Sequence, residues 1–412
     1  MTDGRLQQLD RRSLLAAGGA ALGLAGAARA EPQSDVSSLQ DFDELWTTLS
    51  ARYAFFEEKA TDWNRVRQVY RPLADRARTE AEYLEVLRAT LAELYDPHTH
   101  LANPPDGSPR FPPFDLWVEP RGGRAVVIDV QRSSGAALAG VRHGDVVLAI
   151  DGKPVFERAG ELRARCLARP DPAADLFALQ SAIAGRRGQD RRLVVDGAAG
   201  RRELALARPG GPQSAITHRE LPGGLGYIRI PTFADSVIVA QFDRALADLR
   251  ATRGLILDVR SNGGGDTAVG RPIMGRFIAE RRPYATMRRR DGRGLSAPWT
   301  EWVEPRGPFR YAAPVAVLVD RWSGSMAEGF PMGMRAIAGA RIVGTEMMGL
   351  GAAVYDIRLD RSGIAAQYSG EPVYTITGAP RWRLTPDRPI RPTTLDRDEI
   401  LDAAIAELSG RA

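Results

Sequence analysis

The chain has 412 residues, too many for one hydrophobic core, so two or three domains are expected. Its 44% apolar and 26% charged residues are the composition of ordinary soluble globular protein. The formal charge of +5 comes almost wholly from scattered arginines, because Lys59 and Lys153 are the only lysines, and without a basic helix or aromatic-basic stripe this argues against a nucleic-acid partner.

At the N-terminus, Asp10-Arg11-Arg12-Ser13-Leu14-Leu15 opens an uncharged Ala/Gly/Leu run that reaches the small-residue site Ala28-Arg29-Ala30. The run is short and glycine-rich for a membrane span, so the reading is a removable export signal over 1–30, cleaved after Ala30. Its paired arginines resemble a twin-arginine signal. The expected location is the periplasm or cell envelope of a bacterium, with no stable membrane insertion after cleavage.

Over 37–105 the apolar residues recur at three and four (Leu39, Phe42, Leu45, Trp46, Leu49, then Tyr83, Leu84, Leu87, Leu91, Leu94), which predicts a helical domain. Pro97 stops it and throws His98 and His100 into a turn. Histidine near a helix end is ordinarily structural, and two at i and i+2 lack a third metal ligand, so no metal or other cofactor is expected. A general base delivered by the fold is the sharper reading. The lone Cys166 cannot form an internal disulfide and reads as a structural thiol.

Residues 111–207 change to short strands and turns. The run from Gly135 to Val155 reads as a short helix, a glycine turn, a buried strand, an Asp151-Gly152 hairpin turn and another strand. It resembles a PDZ domain of the bacterial protease-associated type. The resemblance implies a groove that takes a peptide as an added strand, with a carboxylate-binding loop near Phe114-Asp115-Leu116-Trp117, where the usual glycine is missing.

After the linker Arg208-Pro209-Gly210-Gly211-Pro212 the pattern over 213–410 becomes α/β. Gly254-Leu255-Ile256-Leu257-Asp258-Val259-Arg260-Ser261-Asn262-Gly263-Gly264-Gly265-Asp266 reads as a buried strand feeding a triple-glycine turn, whose glycines bring bare N–H groups close to a ligand. Dinucleotide spacing and a Walker lysine are both absent, which discounts nucleotide binding. A second apolar run, Pro314-Val315-Ala316-Val317-Leu318-Val319, ends in Asp320-Arg321-Trp322-Ser323-Gly324-Ser325 and enters a helical pattern, which lifts Ser325 to a strand's carboxyl end as a candidate nucleophile. The glycine loop then reads as its oxyanion donor.

Taken in order, the helical unit, the PDZ-like insert, Asp258–Gly264, Ser323–Glu328 and Thr385-Pro386-Asp387 resemble the tail-specific (C-terminal processing) serine peptidases, over 37–408. The resemblance implies a multidomain α/β protein with a ClpP/crotonase-like core and a protein or peptide as substrate. In the better-known branch a lysine in a Gly-Lys-Gly turn is the base, but here Leu350 holds that position in Gly349-Leu350-Gly351. The tricorn-like branch uses a histidine from the end of the helical unit, and His98 in Asp96-Pro97-His98-Thr99 matches it.

The chemistry so implied has His98 activating Ser325, Gly264 and Met326 N–H groups holding the oxyanion, and Glu328 orienting the imidazole. Glu328 also fits a plain helix-dipole role, Asp96 and Asp387 are rival orienters, and His100 is the fallback base. Arg260 and Asn262 read as residues that shape the glycine loop. The alternative functions are a binding or scaffold protein that keeps the fold without turnover and, more distantly, an esterase.

Overall fold

The computed structural model describes residues 35–111, 115–207, 215–292 and 294–410. The export segment 1–30, Phe114 and the linker Arg208–Pro212 lie outside the described residues.

Three helices come first: α1 (Asp35–Arg52), α2 (Trp63–Arg76) and α3 (Glu80–Ala92). Asp62 and Thr79 start the second and third, each side chain accepting from a backbone N–H three residues on. The residues at three-four spacing, Phe42, Leu45, Leu49, Leu87 and Leu91, form their shared core. After α3 the chain turns at Asp96–Thr99 into the short strand β1 (His100–Leu101).

The middle of the chain is an antiparallel sheet with helices. It comprises β2 (Leu116–Arg121), β3 (Arg124–Val130), α4 (Gly135–Ala139), β4 (Val146–Ile150), β5 (Lys153–Pro154), α5 (Val155–Glu161), α6 (Pro172–Ala184), β6 (Arg191–Gly197) and β7 (Gly200–Leu206). The order is β2-β3-β4-β6-β7, with β5 pairing β4. Asp151 and Gly152 take φ of 49° and 79°, the paired positive values a two-residue hairpin turn requires.

The rest begins with β8 (Thr217–Leu221), β9 (Leu225–Arg229), α7 (Val237–Asp248), β10 (Gly254–Asp258), α8 (Thr267–Met274), β11 (Arg282–Met287) and β12 (Trp299–Val303). It continues through β13 (Val315–Val319), α9 (Met326–Ala338), β14 (Arg341–Gly344), β15 (Ala352–Arg358), β16 (Ala365–Tyr374), β17 (Arg388–Pro389) and α10 (Glu399–Ser409). One sheet runs β17-β14-β13-β10-β9-β8, parallel except at its β8 edge.

The strands β10 and β13 are apolar without alternation because both faces are covered. Leu255, Leu257, Val315 and Val317 pack with residues of α7, α8 and α9, while Ile256, Ala316 and Leu318 pack with residues of α10. These strands lie side by side and parallel, Asp258 opposite Leu318. Their carboxyl ends therefore release the glycine loop and the Ser325 turn at the same place.

A second sheet ties in the helical layer. β16 pairs with β1 (His100 opposite Gln367), with β15 and with β11. Ala54 N donates to Ser369 O at 2.9 Å, and the helical core continues into Ala352, Ile357 and Tyr368. The histidine turn is thereby fastened to the α/β part.

Glu93, buried at the end of α3, shows how firmly the layers join. It accepts from Tyr70 Oη at 2.6 Å, Arg165 N at 2.9 Å and Cys166 N at 2.9 Å. Cys166 itself is buried and burial pushes its thiol up to about 12, the inert structural thiol expected. Glu93→Ala orphans three donors and should lower unfolding free energy by about 3 kcal/mol in denaturant titration. A loss under about 0.5 kcal/mol would show that these bonds do not brace the layers.

Candidate active site

The turn after β13 is strained and held. Ser325 sits at φ 55° and ψ −115°, a backbone region that a residue with a Cβ adopts only when its surroundings over-determine it. Ser323 Oγ donates to Val259 O at 2.9 Å and accepts from Asp320 N at 3.0 Å, and Gly324 N donates to Asn262 O at 3.0 Å. Ser323 is fully buried and its hydroxyl is committed to structure. Ser325, partly exposed, is the serine the turn presents.

The glycine loop is braced from both sides. Arg260 donates to Asp258 at 2.7 Å and to Asp398 at 2.7 Å, and Asn262 Nδ2 donates to Ile230 O at 2.9 Å, so both residues shape the loop as expected. Burial works to raise the Asp258 carboxyl, but the adjacent Arg260 guanidinium holds it below its ordinary value. Ser261 N and Oγ donate to Asp320, whose carboxyl burial pushes up to about 6 against the pull of that N–H. The spacing of Asp320 and Ser323, just after a strand, is a side-chain-to-backbone turn signature.

Gly264 lies directly against the serine. A Cβ there would fall 2.6 Å from Gly324 O, 2.7 Å from Ser325 Cβ and 2.8 Å from Met326 N, at a φ of 99°. The expected oxyanion role needs correction in one respect: Gly264 N already donates to Asn262 Oδ1 at 2.8 Å. The Asn262 side chain reaches forward two residues and captures it. Met326 N–H, first in α9, has no helical partner, as at any helix start, and the positive end of the helix dipole lies there.

Glu328 is the second correction. It was expected to orient His98, yet its carboxylate accepts from Ser325 N at 2.8 Å, Leu350 N at 2.9 Å and Gly349 N at 2.8 Å. As the third residue of α9 it closes the helix start onto the cap residue and pins the Gly349-Leu350 segment beside the serine. Burial pushes its carboxyl up to about 7, opposed by the Arg381 guanidinium and the three N–H donors. Leu350, at the lysine position, is buried with its Cδ1 against Gly324. Lys59 instead reaches Tyr95 O at 3.2 Å, and Lys153 pairs with Glu161.

His98 is 8% exposed. Its backbone N donates to Asp96 Oδ1 at 3.0 Å, Thr99 Oγ1 donates to Asp96 Oδ2 at 2.8 Å, and Ser369 N donates to Thr99 Oγ1 at 3.3 Å. Burial pushes the imidazole down to about 4; Asp96 opposes that, Arg381 and His100 reinforce it, and the ring faces the Ala352 carbonyl. At neutral pH it is therefore uncharged and able to accept a proton. His100 Nδ1 bonds its neighbour's carbonyl, Leu101 O, at 2.8 Å.

Among the described residues no hydrogen bond joins His98 to Ser325 or to Glu328. The two halves meet through Leu350–Ala352, whose first N–H is on Glu328 and whose last carbonyl faces His98. Of the rival acids, Asp96 is beside His98, whereas Asp387 accepts from Ile342 N at 2.8 Å and pairs with Arg335 at 3.1 Å, bracing β14. Asp115, in the expected carboxylate-binding loop, is buried in an ion pair with Arg191. The described residues contain no group of three or more His, Cys, Asp or Glu arranged to hold a metal.

The chain is similar to known proteins in sequence and in fold. Peptidase family S41 matches residues 224–390, and the tricorn protease C1 domain matches residues 36–92. The chain is 26% identical over 417 residues to the chloroplastic C-terminal processing peptidase of Tetradesmus obliquus, covering 90% of this chain and 82% of that one. It is 24% identical to the carboxy-terminal processing protease CtpB of Bacillus subtilis over 56% of this chain and 44% of the relative. Among solved structures it resembles mature CPAF, with a TM-score of 0.63, 17% identity and coverage of 91% of this chain and 96% of that one.

Two measurements check this geometry. Gly264→Ala should cost more than about 2 kcal/mol in thermal or denaturant unfolding, whereas Gly263→Ala, with nothing within 4 Å of its Cβ, should cost under about 1. Equal costs would mean the loop does not press on the serine turn. The second concerns Glu328, whose pKa rises from 4.5 to about 7 on folding. The folded chain then holds a proton that the unfolded chain has lost, so this group's contribution declines as pH rises from about 4.5 through 7. Glu328→Gln should flatten that decline; an unchanged slope would place the titration elsewhere.

Proposed function

We propose that the chain is a serine-type peptidase of family S41, whose model matches residues 224–390, and an exported endopeptidase that acts on protein or peptide substrates through a Ser325 acyl-enzyme without a catalytic lysine. The observation that carries this reading is the parallel register of β10 and β13, which sets the strained Ser325 against the Gly264 loop.

In the proposed reaction His98 takes the Ser325 Oγ proton, directly or through one water, and the oxygen attacks the scissile carbonyl. Met326 N–H receives the developing oxyanion. Gly264 N–H joins it only where the substrate oxygen displaces Asn262 Oδ1. His98 then protonates the leaving amine, and water resolves the ester with His98 again as base. Asp96, next to the imidazole, is the acid that favours its protonated form in flight.

We read the β2–β7 sheet as a PDZ-like unit that captures substrate. Its edge strand β2 lies near the serine turn: Arg321 of that turn pairs with Glu119 at 3.5 Å and covers the Trp117 ring at 5.7 Å. Gln180 Nε2 donates to Val118 O at 2.7 Å, so an incoming strand has to compete for that carbonyl. Export to the periplasm or cell envelope rests on the signal read in residues 1–30. Among the described residues no helix is long and apolar enough to cross a membrane. A scaffold without turnover is favoured by one observation, Leu350 filling the lysine position beside Ser325.

A fluorophosphonate probe tests the reading on the mature chain. Wild type should label at one site, Ser325→Ala should not label, and His98→Ala should label at least about 1,000-fold more slowly. A folded wild type that fails to label sinks the hydrolase; a His98→Ala that labels normally sinks only the base. The acid limb of the rate should lie near pH 4 instead of the ordinary histidine value, because the base is buried.

A further inference from the structure

We infer that Arg381 is a positioning residue of this site, one guanidinium that locks the Leu350–Ala352 segment between the serine-bearing helix and His98. The inference rests on the reading of Ser325 and His98 as the reacting pair. Arg381 lies in the turn after β16, 6% exposed, which is costly for a cation unless it is held by acceptors.

Its acceptors are the segment itself. Nε donates to Leu350 O at 3.1 Å, and Nη2 donates to Leu350 O at 2.5 Å and to Ala352 O at 3.2 Å. Nη1 comes within 3.4 Å of where a Cβ on Gly329 of α9 would stand, so the guanidinium reaches the helix that Ser325 caps. Glu328, on that helix, is the carboxylate whose charge supports it. Ala352 O, which Arg381 holds, is the carbonyl the His98 ring faces. Deleting the guanidinium would release two carbonyls and the spacing between base and nucleophile together.

The charge has a second effect. The ionisable groups facing His98 are Asp96 from its own turn, His100 from β1 and Arg381 from across the site, while Lys59 and Tyr53 of the helical layer face Asp96. Arg381 and His100 oppose a proton on His98, and Asp96 favours it. A fixed cation on the far side thus keeps the imidazole free to act as base in mildly acid solution. The same cation and the three N–H donors favour the ionised form of Glu328 against burial.

The test is the pH profile of fluorophosphonate labelling in wild type, Arg381→Lys and Arg381→Met. Arg381→Met should slow labelling at pH 7 by about 10- to 100-fold and move the acid limb up by about one pH unit. Arg381→Lys keeps the charge but loses the fork, and should leave the limb within about 0.3 unit while recovering much of the rate. A brace with no electrostatic part would slow labelling and leave the limb still in both variants, which overturns the proposal, as does a limb that moves equally in both. Should Arg381→Met not fold, Arg381→Gln, which can still donate to a carbonyl but carries no charge, should move the limb up in the same way; an unmoved or lowered limb there also overturns it. His98→Ala labelling at the wild-type rate would instead remove the parent reading, whatever Arg381 does.

Discussion

Two buried parallel strands, β10 and β13, that end at the same level are the constraint on which this site depends. Each is apolar and packed between helices on both faces, so a one-residue slip would exchange its two sets of side chains between helix layers of different shape and break the close packing of both. That fixed register delivers a glycine loop and a strained serine turn to one spot. Gly324 N on Asn262 O and the Asp320 carboxylate on Ser261 then stitch the two loops together. The cost of holding Ser325 at positive φ, on the order of 1–3 kcal/mol, is carried by that stitching.

A single buried carboxylate extends the arrangement outward. Glu328 satisfies the N–H at the serine and two N–H groups of the segment that holds Leu350. Where related peptidases are expected to carry a lysine, this chain has an apolar contact on Gly324 and a carboxylate that fastens the backbone. In the proposed reaction the base comes from another layer. The β1–β16 pairing brings the His98 turn within the reach of the same segment.

The helical spacing of 37–105, the two apolar runs, the glycine loop and the Ser-Gly-Ser turn were legible in the sequence because each is a local pattern with a local cause: periodicity, burial on both faces, or the backbone freedom of glycine. The lysine count was equally decisive, since a residue type absent from a position cannot serve there. From these came the expectation of an α/β core and of Ser325 as a candidate nucleophile, while His98 as candidate base came from the resemblance to the tricorn-like branch.

What the tertiary structure decided was how polar groups are spent. Whether Glu328 meets the His98 ring or three backbone N–H groups, whether Gly264 N–H is open or taken by Asn262, and whether Asp96 or Asp387 stands beside the imidazole all depend on contacts between segments tens to hundreds of residues apart. A hydrogen-bond donor or acceptor has many partners of equal chemistry along the chain, and only the folded distances choose among them. Arg381 is the clearest case. Nothing near Arg381-Trp382-Arg383 in the sequence marks Arg383 as the exposed arginine and Arg381 as the buried one that holds Leu350 O and Ala352 O.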